Sequence, residues 1–255
     1  MEWLLQVLQR GVRSCDREKL LWLPEFAGGL VRAARSAPSG QLWSLGANFR
    51  IIKIGCGYSF DMTNFPMKPI LIDLPDAIHS ERLIIRAPRL GDGRKVFEAT
   101  VESLDALREF PASLPWALEA PSIEASEFFC RTGASNYIAR RDFPLLFLLR
   151  ESDTLIGCGG LHKPRWTART FEVGWWGRTA FTGQGLITEA VRTILDFAFS
   201  SLAAHRVEAL PDDLNEKSWR LCERVGMDFE GILRHERIAP DGVLRNSRMY
   251  SKISC

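Results

Sequence analysis

The sequence predicts a mixed α/β fold (α+β) in which a mostly antiparallel central sheet is flanked by helices. Three observations point there. From Met67 onward, strand-length β-branched and aromatic runs are interspersed with apolar stripes of helical period, in the order strand, helix, helix, three strands, helix, strand, helix, two strands. Two junctions, ESDT at 151–154 and PDG at 240–242, are turn sequences of hairpin length, so the strands they join run antiparallel. The glycine loop TGQG, Thr182 to Gly185, interrupts this pattern once, and the whole order is not a pure βαβ repeat.

Each element has its own justification. ERLIIRA, Glu81 to Ala87, is rich in β-branched residues and reads as a strand. Asp92 stands where an N-cap would open a helix carrying Val96, Ala99, Val101, Leu104 and Leu107, and Pro111 and Pro115 end it. Ser122 opens a second helix, with Ile123, Phe128 and Tyr137 on an apolar face and Glu124, Glu127, Arg131 and Arg140 outside it. FPLLFLLR, 143–150, is continuously apolar, as a strand covered on both faces must be. LIGCGGLH is its hairpin partner, and FEVGWWG, Phe171 to Gly177, is the next strand. Behind the glycine loop, Leu186 to Ser200 carries Ile187, Ala190, Val191, Ile194 and Ala198 on one stripe. HRVEAL is a strand. Asn215 begins a helix that Gly226 ends, and MDFEGILRHERI and VLRNSRMYSKI close the chain as a hairpin.

Composition narrows the function. Of 255 residues, 46% are hydrophobic and 25% charged, the balance of a globular domain, and no apolar run approaches the ~18 residues of a membrane span. The opening MEWLLQVLQRGVRSC carries Glu2 and is a poor signal peptide, and the six cysteines are scattered without a C-x-x-C pair, so a cytoplasmic location with free thiols is expected. The four histidines show no metal-ligand spacing, and no metal is expected. Residues 1–66 hold 8 Lys and Arg against 5 Asp and Glu, leaving 25 against 26 in the remainder. A nearly neutral main body argues against a general nucleic-acid binder.

The first segment also reads differently. It contains Gly28-Gly29, SAPSG at 36–40 and the glycine-broken IGCGYS, with brief helical periodicity at Trp3 to Leu8 and Leu20 to Leu23. Residues 1–66 therefore read as an N-terminal extension, either a small accessory element or a stretch ahead of a natural start at Met67, and residues 67–255 are expected to form the main domain.

The glycine loop is the most informative stretch. A helix N-terminus leaves backbone N–H groups unpaired and carries partial positive charge, and glycines ahead of it let a bulky anion approach. Phosphate or pyrophosphate fits that description. A dinucleotide fingerprint would need a third glycine where Thr188 stands, and a phosphate-loop NTPase would need Gly-Lys-Ser/Thr; neither is present.

The segment EVGWWGRTAFTGQGLITEAVRTILDFAF resembles the acetyl-CoA-binding motif of the GNAT N-acetyltransferase superfamily, and most resembles the ribosomal-protein N-terminal acetyltransferases of the RimJ/RimL type. SERLIIRAPRLGD is similar to that group's first strand, ESLDALREFPASLPWA to its first helix and following Pro-Trp, and NEKSWRLCERVGMDFEGILR to its Asn-x-x-Ser helix and Glu-Gly strand. The resemblance implies an acetyl-CoA-dependent N-acetyltransferase with a splayed strand pair at the CoA site. It implies that Thr182, Gly183, Gln184, Gly185 and Leu186 hold the CoA pyrophosphate and that Gly174, Trp175 and Trp176 line the pantetheine arm. The chain departs from the pattern at Ala180, where the family has Gln or Arg, and at Gln184, where a basic residue is common; Arg178 is the expected substitute for the missing charge.

Acetyl transfer from a thioester to an amine needs a neutral amine, a donor for the developing oxyanion and a departing thiolate. At pH 7 an α-amino group of pKa ~7.7–8.0 costs only about 1–1.4 kcal/mol to deprotonate, a lysine about 4.6 kcal/mol. A weak base suffices for a protein N-terminus, by direct attack and without a covalent enzyme intermediate. Glu172, at the start of the strand that should splay, is the first candidate base, and Glu236 on the late strand is the second. Ser218, of Asn-x-x-Ser, could donate to the leaving sulfur, and Asn215 is either an N-cap or a CoA contact. His162, His205 and His235 read as strand-end or surface residues. The expected acceptor is a protein N-terminus of the ribosomal-protein kind. A small amine such as an aminoglycoside or polyamine, for which Glu98, Glu102 and Asp105 would form an acidic cluster, is the enzymatic alternative, and a non-catalytic CoA-binding domain is the third.

Overall fold

The computed structural model describes residues 68–254 and, of the preceding segment, the backbone of three strands, β1 (Leu42–Ser44), β2 (Arg50–Ile54) and β3 (Gly57–Asp61). The chain divides into two units, Met1–Met67 and Lys68–Cys255. In the first, β1, β2 and β3 pair antiparallel in sequence order, so the stretch read as glycine-broken contributes two strands. The helical periodicity at 3–8 and 20–23 lies outside the described residues.

The second unit is an eight-stranded sheet flanked by helices. Its strands are β4 (Ile78–His79), β5 (Leu83–Arg86), β6 (Phe143–Leu149), β7 (Leu155–Arg165), β8 (Thr170–Gly177), β9 (Arg206–Ala209), β10 (Asp228–Ile238) and β11 (Leu244–Ile253). The spatial order is β10-β11-β9-β8-β7-β6-β5-β4, and every neighbouring pair is antiparallel except β8 with β9. The helices are α1 (Gly93–Arg108), α2 (Ile123–Ala139), α3 (Leu186–Ser200) and α4 (Glu216–Arg224).

The two faces of the sheet bury different sets of side chains. Phe143, Leu145, Phe147, Leu161, Phe171 and Val173 pack with Ala190, Val191 and Ile194 of α3 and Leu221 of α4. Leu146, Leu148 and Cys158 pack with Val96 and Ala99 of α1 and Cys130 of α2. Strand β6 supplies both faces in alternation, which is why it reads as an unbroken apolar run.

Two local expectations fail for identifiable reasons. Asp92 occupies the N-cap position of α1 but makes no side-chain cap. Its carboxylate accepts from Arg86 Nη1 and Nη2 (2.6 and 2.9 Å) and from the Arg89 amide (2.7 Å). The start of α1 is served instead by Glu127 of α2, which accepts from the amides of Gly91 and Gly93. On α2 itself Ile123 and Phe128 are exposed, and the buried stripe is Ser126, Cys130, Gly133 and Tyr137. The helix packs through its small residues: a Cβ at Gly133 would collide with Pro144, so the larger apolar side chains are turned outward. The N-cap at Ser122 holds, its Oγ accepting from the Ala125 amide at 3.0 Å.

Candidate active site

The sheet opens at one place. Strand β8 pairs with β9 only through Thr170↔Arg206, Phe171↔Val207 and Glu172↔Glu208. Beyond that register the chain after β9 stays with β11, where the Arg248 amide donates to Pro211 O and the Asp213 amide to Asn246 O. Strand β8 stays with β7 as far as Gly157↔Gly177. Glycines make that adherence possible: a Cβ at Gly157 or Gly159 would strike the carbonyl of Trp176 or Gly174. Among the described residues nothing pairs with Val173–Gly177 on the edge facing β9, so this half of β8 offers free backbone groups to a ligand. The adjacent tryptophans point oppositely, as a strand requires. Trp175 packs on the α3 side, while Trp176 packs on the α1 side with its ring 6.2 Å from that of Trp116.

At the open end of β8 the chain turns through Thr179–Phe181 and Thr182 into α3. Gly183 and Gly185 have φ of 77° and 75°, the left-handed region that favours glycine. A Cβ at Gly183 would meet nothing within 4 Å, so this glycine faces open space. The first hydrogen-bonded amide of α3 is that of Glu189, to Gly185 O, and the amides of Leu186, Ile187 and Thr188 have no acceptor among the described residues. Free amides, open glycines and an unpaired strand edge together fit a long ligand with an anionic end.

The loop is anchored from two elements. From α1, Ser103 Oγ accepts from the Thr179 amide (3.0 Å), and Glu102 accepts from the Ala180 amide (3.1 Å) and from Arg178 (2.8 Å). The Arg178 hydrogen bond, against a smaller effect of burial, holds the Glu102 carboxyl below its usual value. Arg178 is thus committed to Glu102 and lies over the Phe181 ring. From the start of β5, Arg82 donates to Gln184 O (3.1 Å) and pairs with Glu189 (2.7 Å), whose carboxylate also accepts from Ser80 Oγ and the Arg82 amide. Arg82 is the cation nearest Gly185, with Nη2 3.7 Å from where a Cβ would stand. The Gln184 side chain folds back toward Ala180 O. Arg82 is not evident as a site residue from spacing, although it and Glu189 lie in stretches that carry the family resemblance; Glu102, read as part of an acidic cluster for a polycationic acceptor, instead anchors the loop.

The candidate catalytic residues separate. Glu172 sits at the closed end of the split, opposite Glu208 on β9 and His162 on β7, with Lys163 Nζ at 2.7 Å from its carboxylate. Glu236 lies in an irregular stretch of β10 between Leu233 and Arg237, where its carboxylate takes Ser247 Oγ (2.8 Å) and Arg237 Nε (2.9 Å). Ser247 is bridged to Asp212, so Glu236 belongs to the hairpin across the split and is not in the row with Glu172. Asn215 is the N-cap of α4: its Oδ1 accepts from the Ser218 amide at 3.1 Å. Ser218, in the first turn of α4, is half-buried. The three cysteines among the described residues, Cys130, Cys158 and Cys222, are buried. Burial pushes the thiols of Cys130 and Cys222 up to about 12 and that of Cys158 well above its ordinary value, so none offers a thiolate nucleophile. Among the described residues no group of three or more His, Cys, Asp or Glu is placed to hold a metal, and no helix is long and apolar enough to cross a membrane.

Residues 82–228, more than half of the chain, match the family described as Acetyltransferase (GNAT) domain. The curated N-acetyltransferase YnaD of Bacillus subtilis (strain 168), itself uncharacterized, is 27% identical over 157 residues, 62% of this chain and 85% of YnaD. Among solved structures, the microcin C7 self-immunity acetyltransferase MccE, in complex with acetyl-CoA and AMP, superposes with a TM-score of 0.64 at 20% identity, covering 71% of this chain and 98% of MccE. RimL, a ribosomal L7/L12 alpha-N-protein acetyltransferase in complex with coenzyme A, superposes with a TM-score of 0.63 at 17% identity, covering 69% and 97%. At these identities the two structures establish the fold.

Proposed function

This chain belongs to the GNAT acetyltransferase family and is an acetyl-CoA-dependent N-acetyltransferase, and from that premise we propose that its acceptor is the N-terminal α-amine of a protein. The observation that carries the reading is the composition of the split. Its closed end presents carboxylates that are already engaged: Glu172 is half-buried and paired with Lys163, and the neighbouring Glu208 is taken by Arg165 and Arg206. Such a group is adequate for an amine that needs about 1–1.4 kcal/mol to lose its proton, and weak for a lysine side chain that needs about 4.6 kcal/mol. Of the acidic residues that a polyamine or aminoglycoside would favour, Glu102 is already bound to Arg178 and the Ala180 amide. The likeness to RimL supports the same acceptor class.

In this reading acetyl-CoA supplies an activated acyl group. The amides of Gly183 to Thr188 receive its pyrophosphate, with Arg82 as the neighbouring cation, and the free edge of Val173–Gly177 pairs with its pantetheine arm. Glu172 faces the incoming amine as the first candidate base, with Glu236 second. Ser218 is the donor to the leaving sulfur, oriented by the Asn215 cap. The test is thiol release with three acceptors: a peptide whose single amine is its N-terminus, the same peptide N-terminally blocked with one free lysine, and spermidine. The reading expects the highest kcat/KM with the first. A preference for spermidine would move the enzyme to the small-amine class, and no release with any amine despite CoA binding would make it a CoA-binding domain.

A further inference from the structure

A polar row crosses the sheet at the closed end of the split. Phe143↔Leu161 places Asp142, just ahead of β6, beside His162 on β7; His162 pairs with Glu172 on β8, and Glu172 with Glu208 on β9. Cys158 and Trp176 pack on the α1 side, and the regular register from Cys158↔Trp176 to His162↔Glu172 puts the histidine and the glutamate on that same face. His162 Nδ1 donates to Asp142 Oδ1 at 2.9 Å, which leaves Nε2 as the accepting nitrogen of the neutral ring. Both side chains are about one-third exposed. The ring lies over Gly174, in the unpaired half of β8: a Cβ there would stand 3.5 Å from Cδ2 and 3.7 Å from Nε2. Glycine therefore keeps the space in front of the imidazole clear. Glu172 next to it is ion-paired with Lys163, and Arg165 and Arg206 take Glu208. The imidazole is thus the nearby group with a free basic nitrogen, and Asp142, Lys163 and Glu172 are the ionisable groups around it.

We propose that His162, oriented by Asp142, takes the proton from the acceptor amine, while Glu172 holds the ammonium group before transfer. The inference rests on the reading of the β8 edge as the pantetheine site. The ammonium gives up two protons in the overall transfer. One goes to His162 Nε2 and on to solvent, with the imidazolium held by Asp142. The other leaves as the C–N bond forms and the C–S bond breaks, and ends on the CoA sulfur by way of Ser218. A neutral amine, an amide and a thiol are then accounted for, and no further reactant is required.

The test is steady-state thiol release at pH 7 with a peptide whose only amine is its N-terminus, beside calorimetric CoA affinity for each variant. His162→Gln should lower kcat about 10²-fold and leave CoA affinity and the KM for acetyl-CoA unchanged. Asp142→Asn should lower kcat in the same direction by less. Free imidazole should restore thiol release by His162→Ala in proportion to its concentration, which a purely structural role for the ring would not produce. A His162→Gln kcat within about tenfold of wild type, or a His162→Ala enzyme untouched by imidazole, overturns the proposal while wild-type CoA binding keeps the acetyltransferase reading intact. A wild-type protein that binds no acetyl-CoA overturns both.

Discussion

At Gly183 the backbone holds φ 77° and the space where a side chain would go is empty. A valine there strains the turn and projects into the region assigned to the pyrophosphate, without striking any neighbour in the protein. Gly183→Val is expected to abolish acetyl-CoA binding by calorimetry in a chain that still melts cooperatively, and unchanged affinity would remove the loop from the ligand site. Glu172 and Ser218 differ in how their loss should depend on pH. An α-amine is mostly neutral above pH 8, so a group that holds or deprotonates the ammonium has little left to do there. Glu172→Gln should slow transfer at pH 6.5 and approach the wild-type rate near pH 9. Ser218→Ala removes a donor to the leaving sulfur, and its defect should persist across that range. A pH–rate profile at saturating acetyl-CoA checks both; a Glu172→Gln defect constant to pH 9 would make this residue a holder of strand geometry and remove it from the handling of the ammonium. His162 and Asp142 escape a reading by spacing because they are 20 residues apart and meet only through strand register. Gly183 and Gly185 are legible because a short local pattern dictates their conformation.

Elements whose signal is local were readable in the same way. Helix α3 runs from Leu186 to Ser200 as its stripe implies, and β6 is apolar throughout because both faces are covered. Strand β4 has only two residues and leaves no period to read. The opening between β8 and β9 is a property of two strands diverging after Glu172↔Glu208, and no single segment encodes it. The cap of α1 illustrates competition between local and distant partners. Asp92 has the right position, but Arg86 binds its carboxylate in a pair with both side chains nearly buried. Breaking a buried pair from one side leaves an uncompensated charge, so Arg86→Met should destabilise the domain by about 3–5 kcal/mol in chemical denaturation. Burial raises the Asp92 carboxyl, but the Arg86 and Arg89 hydrogen bonds outweigh it and hold it below its ordinary 3.8. A depressed carboxylate contributes stability above its unfolded value and loses it as pH falls through the folded one. Asp92→Asn should therefore flatten the decline in stability below about pH 4, and an acid-side decline as steep as wild type would contradict this account of the pair.

On the scale of the whole molecule, the chain divides into the units Met1–Met67 and Lys68–Cys255, and the sequence changes character at Met67. Residues 67–255 carry both buried clusters, the glycine loop and the full row from Asp142 to Glu208. They are expected to fold and bind acetyl-CoA without the preceding 66 residues, with a cooperative melt and unchanged CoA affinity; an insoluble product would make the extension part of the core. The free half of β8 and the loop behind it are the proposed seat of acetyl-CoA. Backbone hydrogen exchange measured by mass spectrometry, with and without acetyl-CoA, tests that most directly. Exchange should slow on ligand addition in the peptides covering 173–177 and 182–188 and stay unchanged in β5 and β6. Tight acetyl-CoA binding that leaves 173–188 unprotected and protects another part of the chain would contradict it.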